Sequence, residues 1–174
     1  MKSLTDHLAQ YAAYHRDRRN IFSHFIGIPL IVVGVAVLLS RPGFSLAGLW
    51  VSPATLTALV ASGFYLRLDR RFGGVMLLLL GLSLWVGQSW ALQTTAAWLG
   101  AGIGLFVVGW IIQFIGHYYE GRKPAFVDDV MGLAIGPLFV VAELAFLLGL
   151  RPEVEHDVVS RAGPTCIRTA KHPV

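Results

Sequence analysis

Three histidines of this sequence each stand at helical spacing from a second polar side chain. Imidazole together with carboxylate is a donor set that suits iron, zinc or manganese. A bound metal would also account for polar groups that are costly beside lipid. The spacing therefore indicates a metal or proton site near one membrane interface. The pairs that would share a helix face are Tyr11 with His15, Asn20 with His24, Gln113 with His117, and His117 with Glu120.

The same side chains have a simpler interpretation, which the spacing leaves open. A histidine at a membrane interface can be solvated by lipid headgroups, and Glu120 can form a solvated pair with Arg122 in a loop. Glu143 is different, because it stands inside the apolar segment VVAELAF. An acid within a membrane segment is a functional candidate and is expected to face the interior of the helix bundle.

Several classes of function receive no support from the sequence. It contains no HExxH pattern, so a zinc protease is not expected, and no Walker or Rossmann glycine pattern, so nucleotide chemistry is not expected. The formal net charge of +4 comes from short basic clusters between apolar runs, so no nucleic-acid partner is predicted. Cys166 is the only cysteine, which excludes an internal disulfide.

The elements that must position these residues are long and apolar. Of the 174 residues, 55% are hydrophobic and 14% are charged, against about 25% charged residues in an ordinary soluble domain. This composition predicts an integral, multi-pass membrane protein of a bacterial inner membrane or an endoplasmic-reticulum membrane. The candidate membrane helices are residues 22–40, 47–66, 72–93, 97–118 and 130–150, the second being weaker because Pro53 lies near its start.

The predicted fold class is therefore all-α, a polytopic membrane bundle of about five hydrophobic helices. Four spans plus a re-entrant fifth segment is the alternative. One membrane-embedded domain is expected over residues 1–150, followed by a polar, flexible tail over residues 151–174. Two GxxxG pairs, Gly100 with Gly104 and Gly132 with Gly136, favour close helix packing.

The distribution of arginine and lysine predicts the orientation. Basic residues cluster before the first apolar run, between residues 67 and 71, and after the fourth run. The positive-inside tendency places the N-terminus and the 67–71 and 120–128 loops in the cytoplasm. An even number of crossings would then bring His24 and His117 to one membrane face, together with His15. With five spans the tail and its basic residues would lie outside the cytoplasm, against the positive-inside tendency. The alternative with a re-entrant segment therefore stays open.

Three segments carry a resemblance to a known family: YHRDRRNIFSHFIGIPL (14–30), FIGHYYEGRKPAF (114–126) and GPLFVVAE (136–143). In these segments the sequence resembles the 2-hydroxy fatty acid dioxygenases, small membrane proteins of the type that carries out α-oxidation in the fungal endoplasmic reticulum. The segments extend over residues 14–143, most of the chain.

The resemblance implies an Fe(2+)-dependent reaction in which a 2-hydroxy fatty acid and dioxygen give the acid one carbon shorter. It also implies that the iron ligands are His15, His24 and His117. We further expect Glu120 and Glu143 to act as catalytic groups, with Glu120 steadying the site one helical turn after His117. The expected substrate-binding residues are Asn20, Arg122 and Lys123, of which the basic pair would attract the substrate carboxylate.

Two other classes of function remain open. A non-enzymatic membrane scaffold or assembly protein would carry these histidines only as interface groups. A small proton-coupled transporter would use His117, Glu120 and Glu143 as a relay, although no inverted-repeat halves are visible in the sequence. Membrane lipid is an expected partner in every case, and a homo-oligomer is a further expectation.

Overall fold

The described part of the chain consists mainly of helices. The computed structural model describes residues 2–168. The prediction of an all-α bundle with about five hydrophobic helices is confirmed, because α2 to α6 coincide with the five apolar runs. In chain order the elements are α1 (Leu4–Ala12), α2 (Arg18–Leu38), β1 (Phe44–Leu46), β2 (Leu49–Val51), α3 (Pro53–Leu68), α4 (Arg70–Ala91), α5 (Thr95–Glu120), a 3-10 turn (Ala125–Val127), α6 (Met131–Leu147) and α7 (Pro152–Ala162).

In the described part of the chain, fewer than five helices are long and apolar enough to cross a membrane by themselves. By length and composition, α2, α4 and α5 qualify, and α6 with α7 would count as a fourth crossing if this pair, bent by 114°, is one broken span. The protein is thus a membrane protein with three or four candidate spans.

The second apolar run differs most from the expectation. Its first residues form the turn and strand β2 of an antiparallel hairpin with β1, and α3 begins only at Pro53, which fits a first helical turn because no N–H is needed there. Ser52 caps this helix by accepting a hydrogen bond from the Thr55 amide. The predicted span over residues 47–66 is therefore corrected to a helix of 16 residues, shorter than the roughly 20 residues that a span usually needs.

A helix also lies within the predicted polar tail. Gly149 and Arg151 have positive φ angles of 69° and 58° and turn the chain after α6. Val154 and Val158, one helical turn apart, are buried where α7 packs against α1. The division into a domain of residues 1–150 and a tail of residues 151–174 stays a prediction, and residues 169–174 lie outside the described residues.

The chain divides into two compact units, Met1–Ile28 with Ile111–Val174, and Pro29–Trp110. In the first unit α1 packs against α6 and α7, and its core includes Leu8, Leu138 and Phe139. All of the predicted site residues belong to this unit.

In the second unit α3 and α4 form a helical hairpin connected by the single residue Asp69. The Asp69 carboxylate begins α4 by accepting hydrogen bonds from the amides of Arg71 and Phe72, both at 2.9 Å. A Cβ atom added at Gly73 would lie 2.6 Å from the Leu66 backbone. Only glycine therefore permits this close turn.

The two GxxxG pairs behave differently from one another. A Cβ added at Gly100 or Gly104 would meet nothing within 4 Å in the described structure, so the close packing predicted for this pair is wrong there. At Gly136 the added atom would lie 3.0 Å from the Tyr11 hydroxyl oxygen. The short distance between Gly136 and Tyr11 shows that α6 and α1 pack closely beside the histidines.

Candidate metal centre

Three histidines from three separate positions in the chain meet inside the first unit. His15 follows α1, His24 lies in the second turn of α2, and His117 lies in the last turn of α5. Their ring centroids are 4.4 Å (His15–His24), 4.9 Å (His15–His117) and 5.2 Å (His24–His117) apart. All three side chains are buried, and one nitrogen from each lies within 4.8 Å of the other two. This cluster could hold a single metal ion.

Backbone carbonyls determine the orientation of two of the rings. The Nδ1–H of His15 donates to the Tyr11 carbonyl at 2.7 Å, and the Nδ1–H of His24 donates to the Asn20 carbonyl at 2.8 Å. A carbonyl oxygen can only accept, so Nδ1 must carry the proton in both rings. The Nε2 atoms of both rings therefore keep a lone pair, which is the form that binds metal.

The hydrogen bonding and the charge state of the ring nitrogens also fit a metal ion. Among the described residues, His15 Nε2 and His117 Nδ1 are buried and have no hydrogen-bond partner. Buried polar atoms nearly always have a partner, and two such nitrogens in one cluster fit coordination of a metal ion. Burial lowers the pKa of His15 well below its usual value, with a smaller contribution from His24, so its ring is neutral near pH 7. Neutral imidazole is what a metal ion requires.

Aromatic side chains enclose the cluster on the side of α1 and α6. The Tyr11 ring stacks on His15 with a centroid separation of 4.2 Å and an interplanar angle of 8°. Phe139 lies 4.9 Å from the Tyr11 ring and 5.6 Å from the His15 ring. Sequence reasoning found Tyr11 only as a spacing partner of His15 and did not find Phe139, which stands in an unbroken apolar segment.

Glu120 contacts the turn between α1 and α2 rather than a histidine ring. Its Oε2 accepts hydrogen bonds from the backbone amides of Arg16 at 3.0 Å and Asp17 at 2.8 Å, and from the Asn20 amide group at 3.0 Å. The carboxylate is fully buried. Since these amides directly follow His15, Glu120 fixes the turn that presents His15 to the cluster.

Glu143 contacts the same turn through Arg16. The Arg16 guanidinium pairs with the Glu143 carboxylate at 3.3 Å. Its other nitrogens donate to the carbonyls of Ala12 at 2.8 Å, His15 at 3.0 Å and Gly163 at 2.9 Å. The two predicted acids, which belong to α5 and α6, thus bind the turn that carries His15 and are placed to hold it.

Comparison with known proteins bears on what this cluster does. Residues 1–148 match the family described as 2-hydroxy-palmitic acid dioxygenase Mpo1-like. The chain is also 33% identical, over 164 residues and 89% of each chain, to the 2-hydroxy-palmitic acid dioxygenase MPO1 of Saccharomyces cerevisiae. The chain belongs to the Mpo1-like family. No solved structure matches it.

The part that matches the Mpo1-like family contains all three histidines and both acids but ends before α7.

Asn20 is fully buried: its amide group binds Glu120, its carbonyl orients His24, and its side-chain oxygen has no partner among the described residues. A Cβ at Gly116 would lie 2.6 Å from that oxygen, so α5 approaches α2 closely at this point.

The two basic residues predicted to attract substrate lie on the loop after α5. Arg122 is exposed and donates to the Ala13 carbonyl at 3.0 Å. Lys123 pairs with Asp128 at 2.6 Å and is also exposed. Both charges therefore lie close in sequence to His117 but have contacts outside the histidine cluster.

The segment that follows α7 was not found by sequence reasoning. Residues 163–168, the C-terminal strap, run alongside the α1–α2 turn as a short parallel bridge between Asp17 and Cys166. The Cys166 amide donates to the Arg16 carbonyl at 2.8 Å, and the Arg18 amide donates to the Cys166 carbonyl at 2.9 Å. Such a contact leaves no periodic pattern in the sequence.

Asp17 anchors the end of the strap. Its carboxylate accepts hydrogen bonds from the Arg19 guanidinium and from the Arg168 amide, the latter at 2.7 Å. Although burial opposes ionisation, these hydrogen bonds lower the pKa of Asp17 to about 2. The carboxylate is therefore charged at neutral pH and holds the strap against the turn.

Proposed function

We propose that this protein is an Fe(2+)-dependent dioxygenase that converts a 2-hydroxy fatty acid to the acid one carbon shorter. The observation that carries the proposal is the buried three-histidine cluster with unpartnered ring nitrogens, in a chain of the Mpo1-like family. The similarity to MPO1 of yeast supports the substrate class.

The donor set favours a redox-active metal for this reaction. Zinc binds histidine equally well but has no redox chemistry, whereas imidazole ligands also suit iron. His15, His24 and His117 would hold the iron ion, which would supply the redox chemistry that dioxygen activation requires. The reaction balances when the 2-hydroxy fatty acid and one dioxygen molecule give the shortened acid, carbon dioxide and water. Dioxygen is therefore the only co-substrate required.

The protein groups supply orientation and enclosure. The Tyr11 and Asn20 carbonyls orient two of the rings, while Tyr11 and Phe139 keep water away from His15. Glu120 and Glu143 hold the turn after His15, so we assign to them the positioning of a ligand. Arg122 and Lys123 are exposed and carry positive charge, of which that of Lys123 is paired with Asp128, so we assign the attraction of the substrate carboxylate at the membrane interface mainly to Arg122.

The test is metal content and product formation in the purified full-length protein. Anaerobic reconstitution with Fe(2+) should give one iron per chain, and 2-hydroxypalmitate with dioxygen should give the acid with 15 carbons by mass spectrometry. His15→Ala, His24→Ala and His117→Ala should each lose iron and product together. His156→Ala, which changes an exposed histidine of α7, is the matched control and should keep both.

Three other results would contradict the metal site, the reaction or both. Normal iron content and turnover in His117→Ala would remove the proposed site. Stoichiometric iron without any shortened acid would retain the metal site and reject the reaction. A chain that binds no metal at all would instead favour the scaffold interpretation.

A further inference from the structure

The buried carboxylate of Glu120 has a partner outside the part of the chain that matches the family. Its Oε1 pairs with Nη2 of Arg168 at 2.9 Å, at the end of the C-terminal strap. The Glu120 side chain has no solvent-exposed surface, whereas 34% of the Arg168 side-chain surface is exposed. The family match ends at residue 148, twenty residues before Arg168.

We propose that Arg168 is a positioning residue of the metal site, acting through Glu120 on the turn that carries His15. This inference rests on the proposed metal site. The order of contacts is direct: the Arg168 guanidinium holds one oxygen of Glu120, and the other oxygen holds the amides of Arg16 and Asp17. These are the two residues that follow His15.

The backbone of the strap places Arg168 for this contact. The Arg168 amide donates to the Asp17 carboxylate at 2.7 Å, and the Arg168 carbonyl accepts from the Arg19 guanidinium at 2.6 Å. At the other end of the strap, the Gly163 carbonyl accepts from Arg16 at 2.9 Å. The strap is therefore attached to the α1–α2 turn at both ends, with Arg168 directed inward to Glu120.

A charge argument explains why the contact matters. A buried carboxylate without a cation or sufficient hydrogen bonds is strongly unfavourable, and it tends to move towards other partners or water. Such a movement of Glu120 would weaken the hydrogen bonds from Arg16 and Asp17. His15 would then lose its fixed position relative to His24 and His117, although no ligand had been changed.

The test compares Arg168→Ala and Arg168→Lys with wild type, using the full chain in detergent or nanodiscs. Arg168→Ala should raise the apparent dissociation constant for Fe(2+) or Co(2+) about 10–100-fold, as outer-shell changes do, and should alter the visible spectrum of bound Co(2+). Arg168→Lys should restore part of the affinity, because an ammonium group can supply one of the contacts.

The matched control is Arg161→Ala, which removes an exposed arginine of α7 that pairs with Asp6. It should leave metal affinity and the Co(2+) spectrum unchanged. In a double-mutant comparison, adding Arg168→Ala to Glu120→Gln should cost less affinity than it costs in wild type, because both changes act on one contact.

Hydrogen exchange in the metal-free protein separates this inference from the proposed function. The amides of Arg16 and Asp17 should exchange faster in Arg168→Ala than in wild type or Arg161→Ala. Wild-type exchange and wild-type metal affinity in Arg168→Ala would overturn the inference. Faster exchange in a protein whose wild type binds no metal would support the contact through Glu120 and reject the metal site.

Discussion

Every nitrogen of the Arg16 guanidinium has an acceptor, and Glu143 is the only charged one among the described contacts. Arg16 and Glu143 have side-chain exposures of 5% and 12%, so the pair is largely removed from water. Forming such a pair contributes little net free energy to stability. Removing one partner is nevertheless strongly destabilising, because the remaining charge stays buried without compensation. Glu143 should therefore matter more than an ordinary surface acid.

We expect Glu143→Gln to lower the free energy of unfolding by about 1–3 kcal/mol, the usual effect of weakening a buried hydrogen-bonded group. The loss follows because the amide keeps an acceptor for Arg16 but removes the neutralising charge. Chemical denaturation in detergent measures it, with Glu155→Gln in α7 as the control for a change of charge. Equal, negligible effects of both substitutions would contradict the role given to Glu143.

At this scale the sequence predicted which residues meet but not through which atoms. Helical spacing paired Tyr11 with His15 and Asn20 with His24, and in both pairs it is the backbone carbonyl, not the side chain, that accepts the hydrogen bond from the histidine ring. Spacing also placed Glu120 one turn after His117. It could not show that the carboxylate contacts another loop, because that depends on tertiary packing over about a hundred residues of chain.

Among the elements, α1 is short and depends on its first turn. Ser3 and Asp6 form a capping box, with the Ser3 amide donating to Asp6 at 2.8 Å and the Asp6 amide donating to the Ser3 hydroxyl at 3.2 Å. Hydrogen bonds to the Asp6 carboxylate from the backbone and side chain of Ser3, followed by one from Arg161, lower the pKa of Asp6 to about 2. A charged carboxylate is therefore favoured by the folded helix.

This lowered pKa predicts a pH dependence for α1. The contribution of Asp6 to stability should be complete above pH ~4, its ordinary pKa in an unfolded chain, and should be lost as the pH falls to about 2. Asp6→Asn should therefore lower the melting temperature at pH 6 and have no effect near pH 2. A difference that persists undiminished at pH 2 would contradict this assignment, and Asp157→Asn in α7 is the control.

The helices themselves were predictable because their apolar runs are long, but their ends were less so. The β1–β2 hairpin took the place of the first turns expected for the second span, since the residues before Ser52 pair with one another as strands. α7 was missed because its polar composition is typical of a tail, and only Val154 and Val158 indicate a buried face. Two valines four residues apart are too weak a signal by themselves.

For the whole molecule, the histidine cluster constrains the topology. His24 lies near the start of α2 and His117 near the end of α5, and their rings are 5.2 Å apart. These two helix ends must therefore lie at the same depth in the membrane. The predicted cytoplasmic location of the N-terminus then extends to the loop after α5.

Cysteine labelling tests this topology. In a background with Cys166→Ser, cysteines at the exposed positions Lys2, Arg70 and Val127 should react with an impermeant reagent from one side of the membrane, and a cysteine at Gln93 from the other. The reason is that the first three lie at the loops rich in arginine and lysine, which the positive-inside tendency predicts to be cytoplasmic. Labelling of Lys2 and Val127 from opposite sides would be incompatible with a shared histidine site.

The single-residue connection at Asp69 has a consequence for the lipid around the protein. If α2, α4 and α5 all cross, α3 must cross as well, because His24 and His117 lie on one face. At 1.5 Å per residue, its 16 residues extend about 24 Å, less than the hydrocarbon thickness of about 30 Å. The short turn at Asp69 gives α3 no added length at that end. Hydrophobic mismatch should then thin the bilayer beside α3 and favour residence in a thinner membrane.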